Sequence, residues 1–143
     1  MRTDSSGLEV LSETDCLQLL AGAQVGRVVV SMAAMPAAFP VNYTVIGRDI
    51  YFRTAPGTKL AAATDRTVVA FQVDQFDQTG RSGWSVLVVG QARLVTDPAE
   101  QSLLQAAGVH SWVNTGPARF VAIGMDKISG RWLRPTDAPC SVR

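Results

Sequence analysis

Histidine occurs once in this chain, as His110, and cysteine only twice, as Cys16 and Cys140. With the cysteines far apart and no Cys-x-x-Cys pair, no ligand set for a metal is expected. Cys16 falls within a predicted helix and reads as a free buried thiol. One histidine in a glycine-bounded loop also leaves no nucleophile–base pair. Ser85 has no histidine near it in sequence, and Asp74 and Asp77 fall at a strand end and loop, where carboxylates are ordinarily solvated. Excess charge is missing too. The 13 basic and 12 acidic residues balance at +1, which offers no electrostatic footprint for nucleic acid. No apolar run approaches the roughly 20 residues of a membrane span. The N-terminal stretch lacks the apolar core of a signal peptide, so the expected location is the cytoplasm. Repeats and low-complexity linkers are absent. No catalytic residue is assigned, and with so little acid–base machinery any demanding chemistry has to come from a cofactor.

What is present is a folded chain of average domain size, 47% hydrophobic and only 17% charged, well outside the range of disordered sequences. A single domain is expected over residues 11–134, between a loose arm (1–10) and a tail (135–143). Ser12 caps a short amphipathic helix carrying Leu17, Leu19 and Leu20 to about residue 23. A β-branched strand follows over 25–31, then a connector over 33–39 around Pro36. Strand periodicity returns at Val41, Tyr43 and Val45 and again at Ile50 and Phe52. The two runs are joined by Gly47-Arg48-Asp49, with Gly47 suited to a positive φ. A helix is predicted over 57–64, a strand over 67–76, a polar loop over 77–83 and the longest strand over 84–95. Gly90 marks a bend in that strand, as barrel corners need. Pro98 opens a helix to about residue 107. An irregular stretch with His110, Trp112 and Asn114 leads to a final strand over 119–128. The expected architecture is mainly β with short helices: six antiparallel strands in a small barrel, whose apolar outer wall is covered in part by helices or by a second subunit.

Three features could hold a cofactor. Arg53, Thr54, Thr58 and Lys59 put two cations and two hydroxyls beside a helix start, where an anion such as phosphate is favoured. The same residues make an ordinary turn and helix cap, and local sequence does not separate the two readings. Pro40-Val41-Asn42-Tyr43 sets an amide and an aromatic ring in an apolar strand. Asn42 can donate and accept, as ring heteroatoms require, or serve simply as a strand-edge residue. Gly83-Trp84-Ser85-Val86 places Trp84 where it can flank a planar ligand or pack in the core.

Taken in order, these motifs resemble the pyridoxamine 5'-phosphate oxidase-like family of FMN-binding split β-barrels, in particular its small bacterial nitroimidazole-resistance-related branch. The resemblance covers about residues 11–133. It rests on Val25-Gly26-Arg27-Val28, Pro40-Val41-Asn42-Tyr43, Tyr51-Phe52-Arg53-Thr54 with Gly57-Thr58-Lys59-Leu60, Val69-Ala70-Phe71-Gln72-Val73-Asp74, Gly83-Trp84-Ser85-Val86 and Ile128-Ser129-Gly130-Arg131. It implies a homodimer with FMN in grooves between the two barrels. Arg53, Thr54, Thr58 and Lys59 would then grip the phosphate, and Pro40, Val41, Asn42 and Tyr43 would lie along the isoalloxazine ring. Trp84, Ser85 and Val86 would approach the ring or ribityl chain from the partner, and Arg131 and Trp132 would line the dimer groove.

The departures from that pattern narrow the reading. The true oxidases are longer and carry a more basic substrate pocket, and this chain has no second phosphate cradle, which argues against pyridoxal phosphate synthesis. The nitroimidazole-resistance branch has a central histidine, and residues 41–90 contain none. The expected function is an FMN-dependent oxidoreductase passing a hydride or electrons to a small planar acceptor. The alternatives are a non-catalytic barrel that binds or senses a flavin, the deazaflavin F420 or haem, and a barrel that has lost its cofactor and serves as a dimeric interaction domain.

Overall fold

The longest strand, Ser82–Leu94, organises the sheet. In this computed structural model, which describes residues 2–109 and 119–134, nine strands and three helices follow in the order β1 (Glu9–Val10), α1 (Glu13–Gly22), β2 (Val25–Met32), β3 (Met35–Asn42), β4 (Thr44–Ile46), β5 (Asp49–Thr54), α2 (Lys59–Ala63), β6 (Thr67–Asp77), β7 (Ser82–Leu94), α3 (Pro98–Ala106), β8 (Arg119–Gly124) and β9 (Lys127–Leu133). The sheet runs β3-β2-β6-β7-β8-β5-β4, with β9 attached to β7 and β1 to β9. All the pairings between strands are antiparallel. Its two ends, β3 and β4, are consecutive in the chain and meet at Tyr43, so the chain itself links the two ends of the curled sheet.

β7 changes partner along its length. Residues from Gly83 to Val89 pair with β9, and those from Ala92 to Leu94 pair with β8. Gly90 sits between the two sets. A Cβ there would fall 1.6 Å from the Gly124 carbonyl oxygen, so the backbones meet at a separation that only glycine allows. The bend expected at Gly90 is the point where the barrel splits.

The expected antiparallel split barrel is present, but with nine strands rather than six. The connector expected around Pro36 is a full strand, β3, paired with β2 over its whole length through a tight turn at Ala33 and Ala34 (φ 50° and 64°). Pro36 and Pro40 weakened the strand signal. They are tolerated because β3 lies at the edge, where an N–H on the open side has no partner to lose. The final strand is a pair, β8 and β9, broken at Met125-Asp126, where the Asp126 carboxylate accepts from the Gln91 amide at 3.2 Å. The hairpin at Gly47 forms as expected, with φ 63°. In the N-terminal segment, β1 pairs with β9. His110, Trp112, Asn114, Cys140 and the expected tail lie outside the described residues.

Strand alternation divides the side chains between two faces. The inner face buries Val28, Val30, Ile50, Phe52, Val69, Phe71, Val73, Val86, Val88, Val121 and Ile123, and α1 closes it with Cys16 and Leu20. Ser12 caps α1 by accepting from the Asp15 amide, as its sequence position implies. On the opposite face of β5 and β8, α3 buries a second cluster of Tyr51, Val95, Leu104, Val109, Phe120 and Ala122. Part of the outer wall is therefore covered by a helix. Val68 (71% exposed) and Leu87 (40%) remain open on the outer side of β6 and β7. Among the described residues no helix is long and apolar enough to cross a membrane.

Gly90→Ala is expected to lower stability on the order of 3 kcal/mol, because the added methyl meets backbone that cannot move aside without unzipping β8 from β7. Urea unfolding of the variant checks this, and an unchanged midpoint would show that the junction is not a tight contact.

Candidate functional site

β5 carries the proposed phosphate residues to its last turn of ladder, and alternation separates them. Arg53 lies across from Phe120 and Thr54 across from Arg119. Arg53 therefore shares the α3-covered face with Tyr51 and Phe120. Its guanidinium carbon stands 5.7 Å from the Phe120 ring centroid, and its Nε is buried without a hydrogen-bond partner. Thr54 shares the other face with Thr58, their hydroxyls 3.3 Å apart. The Thr58 hydroxyl donates to the Ala55 carbonyl at 2.9 Å and accepts from the Ala61 amide at 3.1 Å. Thr58 is thus the N-cap of α2, as the cap reading of this loop expects. With five residues and its cap already supplied, α2 adds little dipole. Any hold on an anion rests on the cations, Arg53 and the exposed Lys59.

Sequence reasoning missed Arg119. It lines an open cleft of about 520 Å³ with Pro56, Gly57, Thr58, Asp65 and Leu94, next to the same loop. Its place at the first position of β8, paired with Thr54, follows from the β5–β8 register, which sequence alone does not reveal.

The segment from Pro40 to Tyr43 is split in the same way. Pro40 is exposed and borders a second cleft of about 460 Å³ that includes Arg27, Asp74 and Gln75. Asn42 is half-buried at the end of β3, across from Val25. Val41 packs against the core. Tyr43 is buried, its ring edge-on to Phe71 at 4.9 Å and its hydroxyl donating to the Leu20 carbonyl. Burial also pushes the Tyr43 pKa up. Only Pro40 and Asn42 can offer side chains to a ligand from this segment, while Val41 and Tyr43 fix its backbone.

On β7, Trp84 and Val86 face inward and are buried at 7% and 0% exposure. Ser85 faces outward between Asp74 and Arg131. This outer row is a polar network that the sequence reading did not identify. Gln72 donates to Asp74 at 2.7 Å and to the Ser85 hydroxyl at 3.2 Å, and Arg27 donates to Gln72 at 3.3 Å. The Arg131 Nε donates to Asp4 at 2.7 Å. The Ser6 hydroxyl and then Arg131 hold the Asp4 carboxyl well below the usual carboxylate range. Trp132, half-buried and paired with Trp84, carries the Arg134 guanidinium 4.9 Å from its ring centroid. The signal for the network was the alternation Gln72-x-Asp74 opposite Ser85. The link from Arg131 to Asp4, across almost the whole chain, had none.

The side chains gathered here are hydrogen-bonding groups and cations, with no histidine among them. Burial raises the Cys16 thiol, and burial followed by the Glu100 hydrogen bond raises Tyr51, so both stay protonated. Among the described residues no three His, Cys, Asp or Glu side chains gather as a metal site would need.

The family model described as pyridoxamine 5'-phosphate oxidase matches residues 12–132. The chain belongs to this family. The match spans every described strand but β1 and the last residue of β9, and it agrees with the split barrel found here. Among curated relatives, the uncharacterized protein Rv0080 of Mycobacterium tuberculosis is 36% identical over an alignment of 125 residues, covering 84% of this chain and 82% of that protein. Among solved structures of the same fold, an FAD binding protein from Mycobacterium smegmatis is 36% identical with a TM-score of 0.75, covering 88% of this chain and 98% of that one. An FAD-binding protein from Mesorhizobium loti is 25% identical with a TM-score of 0.74, over 90% and 98% of the two chains.

Proposed function

We propose that the chain binds a phosphate-bearing flavin, FMN, at the loop after β5 and uses it as an oxidoreductase acting on a small planar acceptor. The observation that carries this reading is the buried Arg53 Nε with no protein partner. A buried donor left unpaired is costly, and a phosphate oxygen would satisfy it. Lys59, six residues on in an exposed loop–helix start, would add the second charge. A bound flavin supplies hydride and electron transfer, which no side chain of this site can provide. The chain's own part is to hold and orient. Asn42 would meet the ring edge with its amide, and Pro40 would border it. Thr54 and Thr58 keep the loop in shape, while Val41, Tyr43, Trp84 and Val86 act from the core by fixing the backbone on which the site stands.

The reading includes a homodimer in which Ser85 and Arg131, on the outer row, face the partner's flavin, while Trp132, on the face of Trp84, packs against the core. Its support is the open apolar strip on the outer side of β6 and β7, with Val68 and Leu87 exposed beside Val29, Ala70 and Val89. Burying such a strip contributes about 25 cal/mol per Å². Sedimentation equilibrium is expected to return twice the chain mass, and a monomer at micromolar concentration would remove the partner's share of the site.

A second reading concerns the flavin itself. Both similar FAD-binding proteins support FAD as the ligand, and so does the Arg119 cleft beside the loop, which has room and a cation for a second phosphate. F420 also carries a phosphate and remains an alternative cofactor. A barrel that stores or senses the flavin without turnover would use the same residues. Titrations of flavin fluorescence with FMN, FAD and F420 separate the cofactors. Arg53→Ala is expected to weaken FMN binding by about 1.5–3 kcal/mol, the range of a hydrogen bond to a charged group. Unchanged affinity in that variant would end the phosphate assignment.

A further inference from the structure

Arg53 stands on a support that reaches α3. In the first turn of that helix, Glu100 accepts from both terminal nitrogens of Arg93 at 2.9 and 2.7 Å and from the Tyr51 hydroxyl at 2.9 Å. Tyr51 is also 3.3 Å from Asp49 through its hydroxyl. It lies two positions before Arg53 on the same face of β5, 6% exposed. Its buried cluster contains Phe120, which faces Arg53 directly in the β5–β8 ladder and carries its guanidinium. Two charged contacts and one hydroxyl contact thus converge on a single carboxylate, and through Tyr51 and Phe120 they reach the side chain with the unpaired Nε.

We propose that Glu100 is a positioning residue for Arg53: by clamping Tyr51 and Arg93 it fixes the Phe120 ring and, through it, the guanidinium that takes the flavin phosphate. The inference rests on the phosphate reading of Arg53 above. Its sign is distinctive. Glu100 is an anion on the Arg53 side of the sheet, so if it acted only through its charge, removing that charge would strengthen the hold on a phosphate. A positioning role gives the opposite result, because the amide of Glu100→Gln presents a donor to Arg93 in place of an acceptor and opens the clamp.

The test compares FMN with riboflavin, which has the same ring and no phosphate, on the full chain. Glu100→Gln is expected to weaken FMN about tenfold, within the range of coupling through one packed and hydrogen-bonded network, and to leave riboflavin unchanged. Tyr51→Phe, which keeps the Arg93–Glu100 pair, should move FMN in the same direction by less. In an Arg53→Ala background Glu100→Gln should have no further effect. Equal weakening of FMN and riboflavin would show a general loosening, and unchanged or tighter FMN binding would contradict the clamp outright. A second measurement needs no flavin. The Arg53 Nε proton is expected to carry an NMR shift from the nearby Phe120 ring and to move towards the position of an exposed arginine in Glu100→Gln, and a signal that stays in place would overturn the inference. If wild-type protein binds no FMN while this proton moves as expected, the flavin reading fails and the clamp stands.

Discussion

The close approach of two backbones at Gly90 and Gly124 is the constraint on which the rest of the structure depends. β7 cannot hold two strands on the same edge at the same height. It gives its first half to β9 and its end to β8, and the change of partner requires contact that no side chain could share. From that junction β8 carries β5 outward, and β5 ends at Arg53 and Thr54. From the same junction β9 carries Arg131 and Trp132 back along β7. The two groups of candidate ligand residues therefore belong to opposite arms of one split.

Strand alternation then decides what each residue can do. Neighbours in sequence that read as one motif, such as Arg53-Thr54 or Val41-Asn42, are sent to opposite faces. The phosphate cluster becomes a cation on the α3 side and a pair of hydroxyls on the other. The aromatic pair Tyr43 and Trp84 becomes core. What remains available to a ligand is polar and sparse, which suits a site that orients a cofactor and leaves the chemistry to it.

Much of this was legible in the sequence. The Ser12 helix cap, the helix start at Pro98, the Gly47 hairpin, the free buried Cys16 and the break at Gly90 all follow from local rules, and the order of motifs pointed to the family. β3 was hidden because prolines at 36 and 40 suppress a strand reading, and only its edge position permits them. The β8–β9 break was hidden because buried Met125 continues an apolar run. Arg119, Asp4 and the Glu100 clamp depend on register and long-range contact, which a single sequence does not encode in any local pattern. The separation of Arg53 from Thr54 was available in principle, since the strand period of two already implied it.

The central claim is that this barrel holds a flavin against its own residues. The visible absorption spectrum of the purified protein, recorded before and after addition of FMN and removal of free flavin, tests it most directly. The account predicts flavin bands that remain with the protein and are shifted from those of free FMN. A colourless protein that retains no flavin after addition would contradict it.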